Sequence, residues 1–143
     1  MQIQRKNGRA GFTLAELMVV IVIIGLLATL VVPNVMKKLF TANKVKAKAD
    51  IVGIEKAVND YAIDNNGRFP DSIEALVVPG DDGQAYLSQE TIPKDPWGNE
   101  YFYEPPPSGT TKFRVVSYGK DGQPGGEGDD ADLDNIKIRN QEI

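Results

Sequence analysis

The sequence predicts an α+β fold: a long N-terminal helix, transmembrane in its first half and amphipathic in its second, packed on a small antiparallel β-sheet. Three observations carry this. Phe12 to Val32 is a run of 21 residues with one charge, Glu16. Beyond Pro33, apolar residues return at helical spacing as far as Tyr61. Late in the chain, EYFYE and TKFRVVSYG are rich in aromatic and β-branched residues and are joined by PPPSG, which reads as a hairpin with a longer loop.

Taken in order, residues 1–11 hold Arg5, Lys6 and Arg9 and no acid. The apolar run that follows spans about 30 Å as a helix, the hydrocarbon thickness of a bilayer. Pro33 removes one helical hydrogen bond, which predicts a loosening near Leu30. The amphipathic half carries an apolar stripe through Val35, Leu39, Ala42, Val45, Ala49, Val52, Val58 and Tyr61. Its other face bears Lys37, Lys38, Lys44, Lys48, Asp50, Glu55 and Lys56. DNNGRFP ends the helix, because Asn66 and Gly67 tolerate the left-handed conformation and Pro70 follows. One helix is therefore expected from about Thr13 to Asn65.

PDSIEAL reads as a short helix start with Asp71 as cap and Glu74 three residues on. GDDGQAYLSQETIPKDPWGNE is dense in turn residues and reads as a loop. Within it, Asp95-Pro96-Trp97-Gly98-Asn99 holds the only tryptophan. That residue either caps the core from a turn or offers a docking contact. KDGQPGGEGDDADLD is too rich in Gly and Asp to form a core by itself.

Composition narrows the function. The chain has 143 residues, enough for one domain with a modest core. Its formal charge is −4, so no basic surface points to nucleic acid. It has no Cys, which excludes disulfides, thiolate zinc sites and cysteine nucleophiles, and no His, which excludes a Ser-His-Asp triad. The expectation is a protein that is not an enzyme.

Glu16 is the anomaly. A carboxylate at the centre of a spanning helix costs about 2.5–3.5 kcal/mol and less near an end. Either it sits unpaired in the headgroup region, or it meets a positive charge at its own depth. Cleavage between Gly11 and Phe12 would create such a charge, an α-amine one helical turn away, on the same chain or a neighbouring one. An ordinary secretory signal does not explain the pattern, because the clear Ala-x-Ala, Ala47-Lys48-Ala49, lies well beyond the apolar run. Counted by flanking positives alone, the five Lys at 37, 38, 44, 46 and 48 favour an outside N-terminus.

RAGFTLAELMVVIVIIGLLATLVVPN resembles the type IV prepilin-like signal: a basic leader, a glycine, then Phe-Thr-Leu-x-Glu and an apolar helix. Within that class, IPKDPWGNEYFYE and SYGKDGQPGGEGDDADL resemble the major pseudopilins of type II secretion systems. The resemblance implies a type IV pilin-like fold with a cytoplasmic leader peptide over residues 1–11, which overrules the charge count. It implies a transmembrane and filament-core helix over 12–33, an amphipathic half over 34–66 and a periplasmic globular α+β region over 67–143. A prepilin peptidase would cut after Gly11 and methylate the Phe12 amine. Glu16 would be the assembly carboxylate, neutralising that amine in an adjacent subunit. The chain would leave the lipid of the inner membrane, as a single-pass protein, and polymerise with itself into a periplasmic pseudopilus, with minor pseudopilins and an inner-membrane assembly platform as partners. The small residues Gly25, Ala28 and Thr29 would let helices approach closely, or are ordinary membrane-helix composition.

The acidic loop places Asp121, Glu127, Asp129, Asp130, Asp132 and Asp134 close in sequence on glycine-rich turns. Read from the residues alone, it is either a solvated loop or a set of hard oxygen ligands of the kind calcium uses, without EF-hand spacing. The resemblance implies a Ca2+ site with Asp121, Asp130 and Asp132 as side-chain ligands and the backbone carbonyls of Tyr118 and Gln123 beside them. Where the family often continues Ile-Gly-Asn-Trp, this chain has LDNIKIRNQEI. Which of Asp129, Asp130 and Asp132 ligate is therefore open. The rival readings are a type IV pilin for adhesion, motility or DNA uptake, a membrane-anchored calcium module that does not polymerise, and a hydrolase built on the Asp cluster.

Overall fold

A computed structural model describes residues 11–80, 83–89 and 91–142. The basic cluster of the expected leader and Asp81 and Asp82 of the turn-rich loop lie outside the described residues.

Helix α1 spans Leu14–Asp64, 51 residues, close to the expected bounds. Its first turn closes on Thr13 and Glu16. The Glu16 N–H donates to Thr13 Oγ1 (3.2 Å), and Glu16 Oε2 accepts from the Thr13 N–H (2.7 Å). This reciprocal arrangement is a capping box, and it satisfies two of the N–H groups that a helix start leaves orphaned. At the other end the Gly67 N–H donates to the Ala62 carbonyl (2.7 Å) while Asn66 takes φ 56°, the left-handed closure read from DNNG. The helix continues through position 33, so the loosening expected at Pro33 does not end it.

Contacts divide the chain into two compact units, one ending at Leu39 and one beginning at Phe40. The first contains a segment, Leu14–Val32, long and apolar enough to cross a membrane, with none of it buried.

The second unit holds the core. Strands β1 (Phe102–Glu104), β2 (Arg114–Ser117) and β3 (Leu133–Asp134) form an antiparallel sheet in that order. The expected hairpin is β1–β2, with Phe102 opposite Val116 and Glu104 opposite Arg114. Ala47, Ile51, Ile54, Ala57 and Val58 of α1 pack with Ile73, Leu76, Tyr101, Phe113, Val115 and Leu133. Each fully buried Ile or Leu in such a core contributes about 1.5–3 kcal/mol.

Two expectations are corrected here. The buried face of α1 is Ala47, Ile51, Ile54 and Val58; Val45, Ala49 and Val52 of the expected stripe are exposed. This part of the helix is apolar on two faces, and the sheet takes the one with the two isoleucines. Second, PDSIEAL forms only a 3-10 helix, Ile73–Leu76, and its N-cap residue is Ser72, not Asp71. At the C-terminal end, where the sequence reading named no element, β3 leads into helix α2, Asn135–Asn140. Asp134 caps α2 by accepting from the Lys137 N–H (2.8 Å) and also takes the Arg114 guanidinium (3.0 Å). Asn135, fully buried, accepts the Val115 N–H (3.0 Å), so its amide continues the bonding of β2.

Candidate functional site

Two regions concentrate the residues singled out by the sequence, one in each unit.

At the start of α1, Phe12 is 85% exposed. Among the described residues, a Cβ built on Gly11 would meet nothing within 4 Å. Glu16 is held by its own chain: besides the Thr13 N–H, the Thr13 hydroxyl donates to Glu16 Oε2 (2.8 Å). Thr13 was missed as a partner of Glu16, although Thr-x-x-Glu before an apolar run is the sequence signature of a capping box.

In the second unit the acidic loop runs from the end of β2 to β3 as a series of tight turns, with positive φ at Gly119, Gly122, Gly125, Gly126 and Gly128. Two of these glycines are required by close approach. A Cβ on Gly119 would lie 2.5 Å from the Asp129 carbonyl, and one on Gly126 would lie 2.5 Å from the Asp130 carbonyl. The Lys120 N–H donates to the Asp129 carbonyl (2.9 Å), which ties the two arms of the loop together.

Asp121 Oδ1 accepts the Gln123 N–H (3.1 Å), and both residues are exposed. Both Asp132 oxygens accept the Gly125 N–H (2.9 and 3.0 Å), and the Lys137 ammonium donates to the Asp132 carbonyl (3.3 Å). Tyr118, half-buried, places its ring 6.0 Å from that of Phe102 across the hairpin. The fold thus brings Asp130 and Asp132 to the Gly125–Gly126 turn, while Asp121 closes a separate turn with Gln123.

Asp129 is the unusual member. Its Oδ1 is enclosed without a hydrogen-bond partner. Burial raises its pKa above the ordinary carboxylate range, against the pull of Lys120 and Lys44, and the neighbouring charge of Asp130 adds to the rise. An enclosed carboxylate oxygen with no donor is the environment a hard cation satisfies. The hard oxygen donors of this loop are of the type that would suit the calcium the resemblance implies. Among the described residues, no three of His, Cys, Asp and Glu gather to hold a metal by side chains alone. Backbone carbonyls would have to complete such a shell.

A groove of about 880 Å³ lies elsewhere, between the end of α1 and the segment after the 3-10 helix, lined by Asp60, Tyr61, Asp64, Val78 and Tyr86. None of the acidic-loop residues lines it; a smaller depression of about 220 Å³ lies at the loop itself, beside Gly125, Gly126, Asp132 and Lys137.

The family described as type II secretion system, protein G, matches residues 34–136, and the prokaryotic N-terminal methylation motif matches residues 6–32. The type II secretion system core protein G of Vibrio cholerae is 40% identical over 144 residues, covering 95% of this chain and 97% of that protein. That of Pseudomonas aeruginosa is 43% identical over 143 residues, covering 92% and 97%. The crystal structure of the major pseudopilin from the type 2 secretion system of enterohaemorrhagic Escherichia coli aligns with a TM-score of 0.55 at 30% identity, covering 73% of this chain and 96% of that one. The chain belongs to the type II secretion system protein G family, the major pseudopilins.

Proposed function

We propose that this chain is a structural, non-catalytic subunit that polymerises into the periplasmic pseudopilus of a type II secretion system and so drives protein export across the outer membrane. The observation that carries this is the start of α1: a capped, exposed Glu16 heading the wholly exposed apolar segment Leu14–Val32. Exposure along the whole segment suits a helix that trades lipid for the helices of neighbouring subunits. A prepilin peptidase cuts after Gly11 and methylates Phe12. Before assembly the protein is anchored in the inner membrane with residues 67–143 in the periplasm; minor pseudopilins and an assembly platform are its partners. The energy for assembly comes from elsewhere, because the chain has no phosphate-binding loop.

Calcium belongs to the same reading. We assign the ion to the carbonyls of Tyr118 and Gln123 and to the carboxylates of Asp121, Asp130 and Asp132, which binding itself must draw together, since no three acidic side chains are gathered beforehand among the described residues. Its role is structural: it cross-links a loop that has no apolar core.

The intact mass of the protein isolated from host membranes, together with export in a strain lacking the gene, tests the proposal. Loss of residues 1–11 with gain of about one methyl group, and export restored by the wild type but not by Glu16→Ala, is the expected result. An unprocessed mass in a host with a working prepilin peptidase, or export restored fully by Glu16→Ala, overturns it.

A further inference from the structure

The turn Asp95-Pro96-Trp97-Gly98-Asn99 sits against the acidic loop and is bonded to it. Asp95 is 4% exposed. Its Oδ1 accepts the N–H groups of Trp97 (3.1 Å) and Asn99 (2.8 Å), and the Asp95 N–H donates to the Asn99 carbonyl (2.8 Å), so the turn is closed on itself. Its Oδ2 accepts the hydroxyl of Ser117 (2.7 Å), which is fully buried at the end of β2. The same Ser117 oxygen accepts the Gly119 N–H (3.3 Å). The Asn99 amide then donates to the Gly119 carbonyl (2.7 Å).

Gly119 is consequently fixed on every side. Its N–H and its C=O both reach the Asp95–Asn99 turn, one through Ser117 and one directly. Its α-carbon lies against the backbone of Asp129 and Asp130 so closely that no Cβ fits. Asn99 also touches the next turn of the loop: a Cβ built on Gly122 would be 3.3 Å from Asn99 Oδ1. Residues 118–123 carry three of the groups assigned to calcium, and this is the arm that Asn99 holds.

We infer that Asn99, supported by Asp95 and Ser117, is a positioning residue for the cation-binding loop: it sets the arm that presents Tyr118, Asp121 and Gln123 without itself touching the ion. The inference rests on the calcium reading given above and adds the part of the chain that prepares the site. The physical reason is preorganisation. A loop without a core loses its freedom when it binds. Hydrogen bonds already made before binding remove part of that cost, and they appear in the dissociation constant. The buried Asp95 opposes any shift of the turn, because its three acceptor bonds would be lost together.

The test is calcium titration of the full chain in detergent by calorimetry, with calcium chloride as the probe, on wild type and Asn99→Ala. Thermal unfolding with and without calcium accompanies it. Loss of one positioning hydrogen bond is expected to weaken calcium binding about five- to tenfold and to shrink the calcium-induced rise in Tm. The Tm without calcium should change little by comparison, which separates positioning from a general loss of stability. Hydrogen exchange on the calcium-free wild type needs no variant: the Gly119 and Lys120 amides should be protected to the level of β2, while residues 122–128 exchange faster. Wild-type affinity in Asn99→Ala, an equal drop in Tm with and without calcium, or exchange at 119–120 as fast as at 122–128 overturns the inference and leaves the calcium site standing. A wild type that takes up no calcium overturns the calcium reading itself, and this inference with it.

Discussion

The Tyr101 hydroxyl donates to Asp50 Oδ2 at 2.9 Å, across a sequence separation of 51 residues. Tyr101 is 3% exposed and belongs to the core, while Asp50 lies on α1 and is also paired with Lys46 (2.5 Å). The bond ties the segment entering β1 to the long helix. Tyr101→Phe keeps the ring and removes the donor. Because the acceptor is charged but partly solvated, the expected loss is about 1–2 kcal/mol, read as a lower Tm of the full chain in detergent. An unchanged Tm would show that the Lys46 pair satisfies Asp50 by itself.

The same phenol, with Tyr103, sets a pH limit. Burial, and then the charge of Asp71, pushes the Tyr103 pKa up to about 12. Burial, and then the hydrogen bond and charge of Asp50, raises that of Tyr101 further. In the unfolded chain both phenols ionise near about pH 10. Between those values the folded state binds protons that the unfolded state has released, so stability falls as pH rises. Unfolding followed against pH should show full stability below about pH 10 and a steady loss above it. A Tm that stays flat across that window would contradict the burial of these rings.

Asp134 serves two partners from one buried position, the Arg114 guanidinium and the first turn of α2. Asp134→Ala removes the ion pair and the cap together and should cost about 3 kcal/mol or more. Asp134→Asn keeps an oxygen for the Lys137 N–H and loses the charge, so its Tm should fall between those of wild type and Asp134→Ala. If the two variants were equal, the cap would carry no weight.

The two apolar faces of α1 predict opposite phenotypes. Ile51→Ala opens a cavity in the core and should destabilise by about 2–5 kcal/mol. Val52→Ala changes an exposed side chain and should leave the Tm nearly unchanged, within about 0.5 kcal/mol of stability. Val52 is exposed, and in the proposed filament cross-linking of assembled subunits is the assay in which it should register. The opposite pattern would restore the stripe drawn from the sequence.

The local features were legible because their causes are local. A long uncharged run, the left-handed residues at Asn66 and Gly67 and the paired runs of β-forming residues each carry their reason within a few positions. Those gave the long helix, its end and the β1–β2 hairpin. The Thr13–Glu16 box is equally local, since its signature is Thr-x-x-Glu ahead of an apolar run. What the sequence by itself could not determine depended on contacts far along the chain. Which apolar face of α1 is buried was decided by the sheet it meets. Strand β3 is two residues long and exists only because β2 is there to pair with it. The ordering of the acidic loop follows from bonds such as Asn99 to Gly119, twenty residues apart, and no spacing rule reports a hydrogen bond made across folded distance. Short-range propensity therefore specified the elements, and tertiary packing chose their faces, their partners and the side chains that hold the loop.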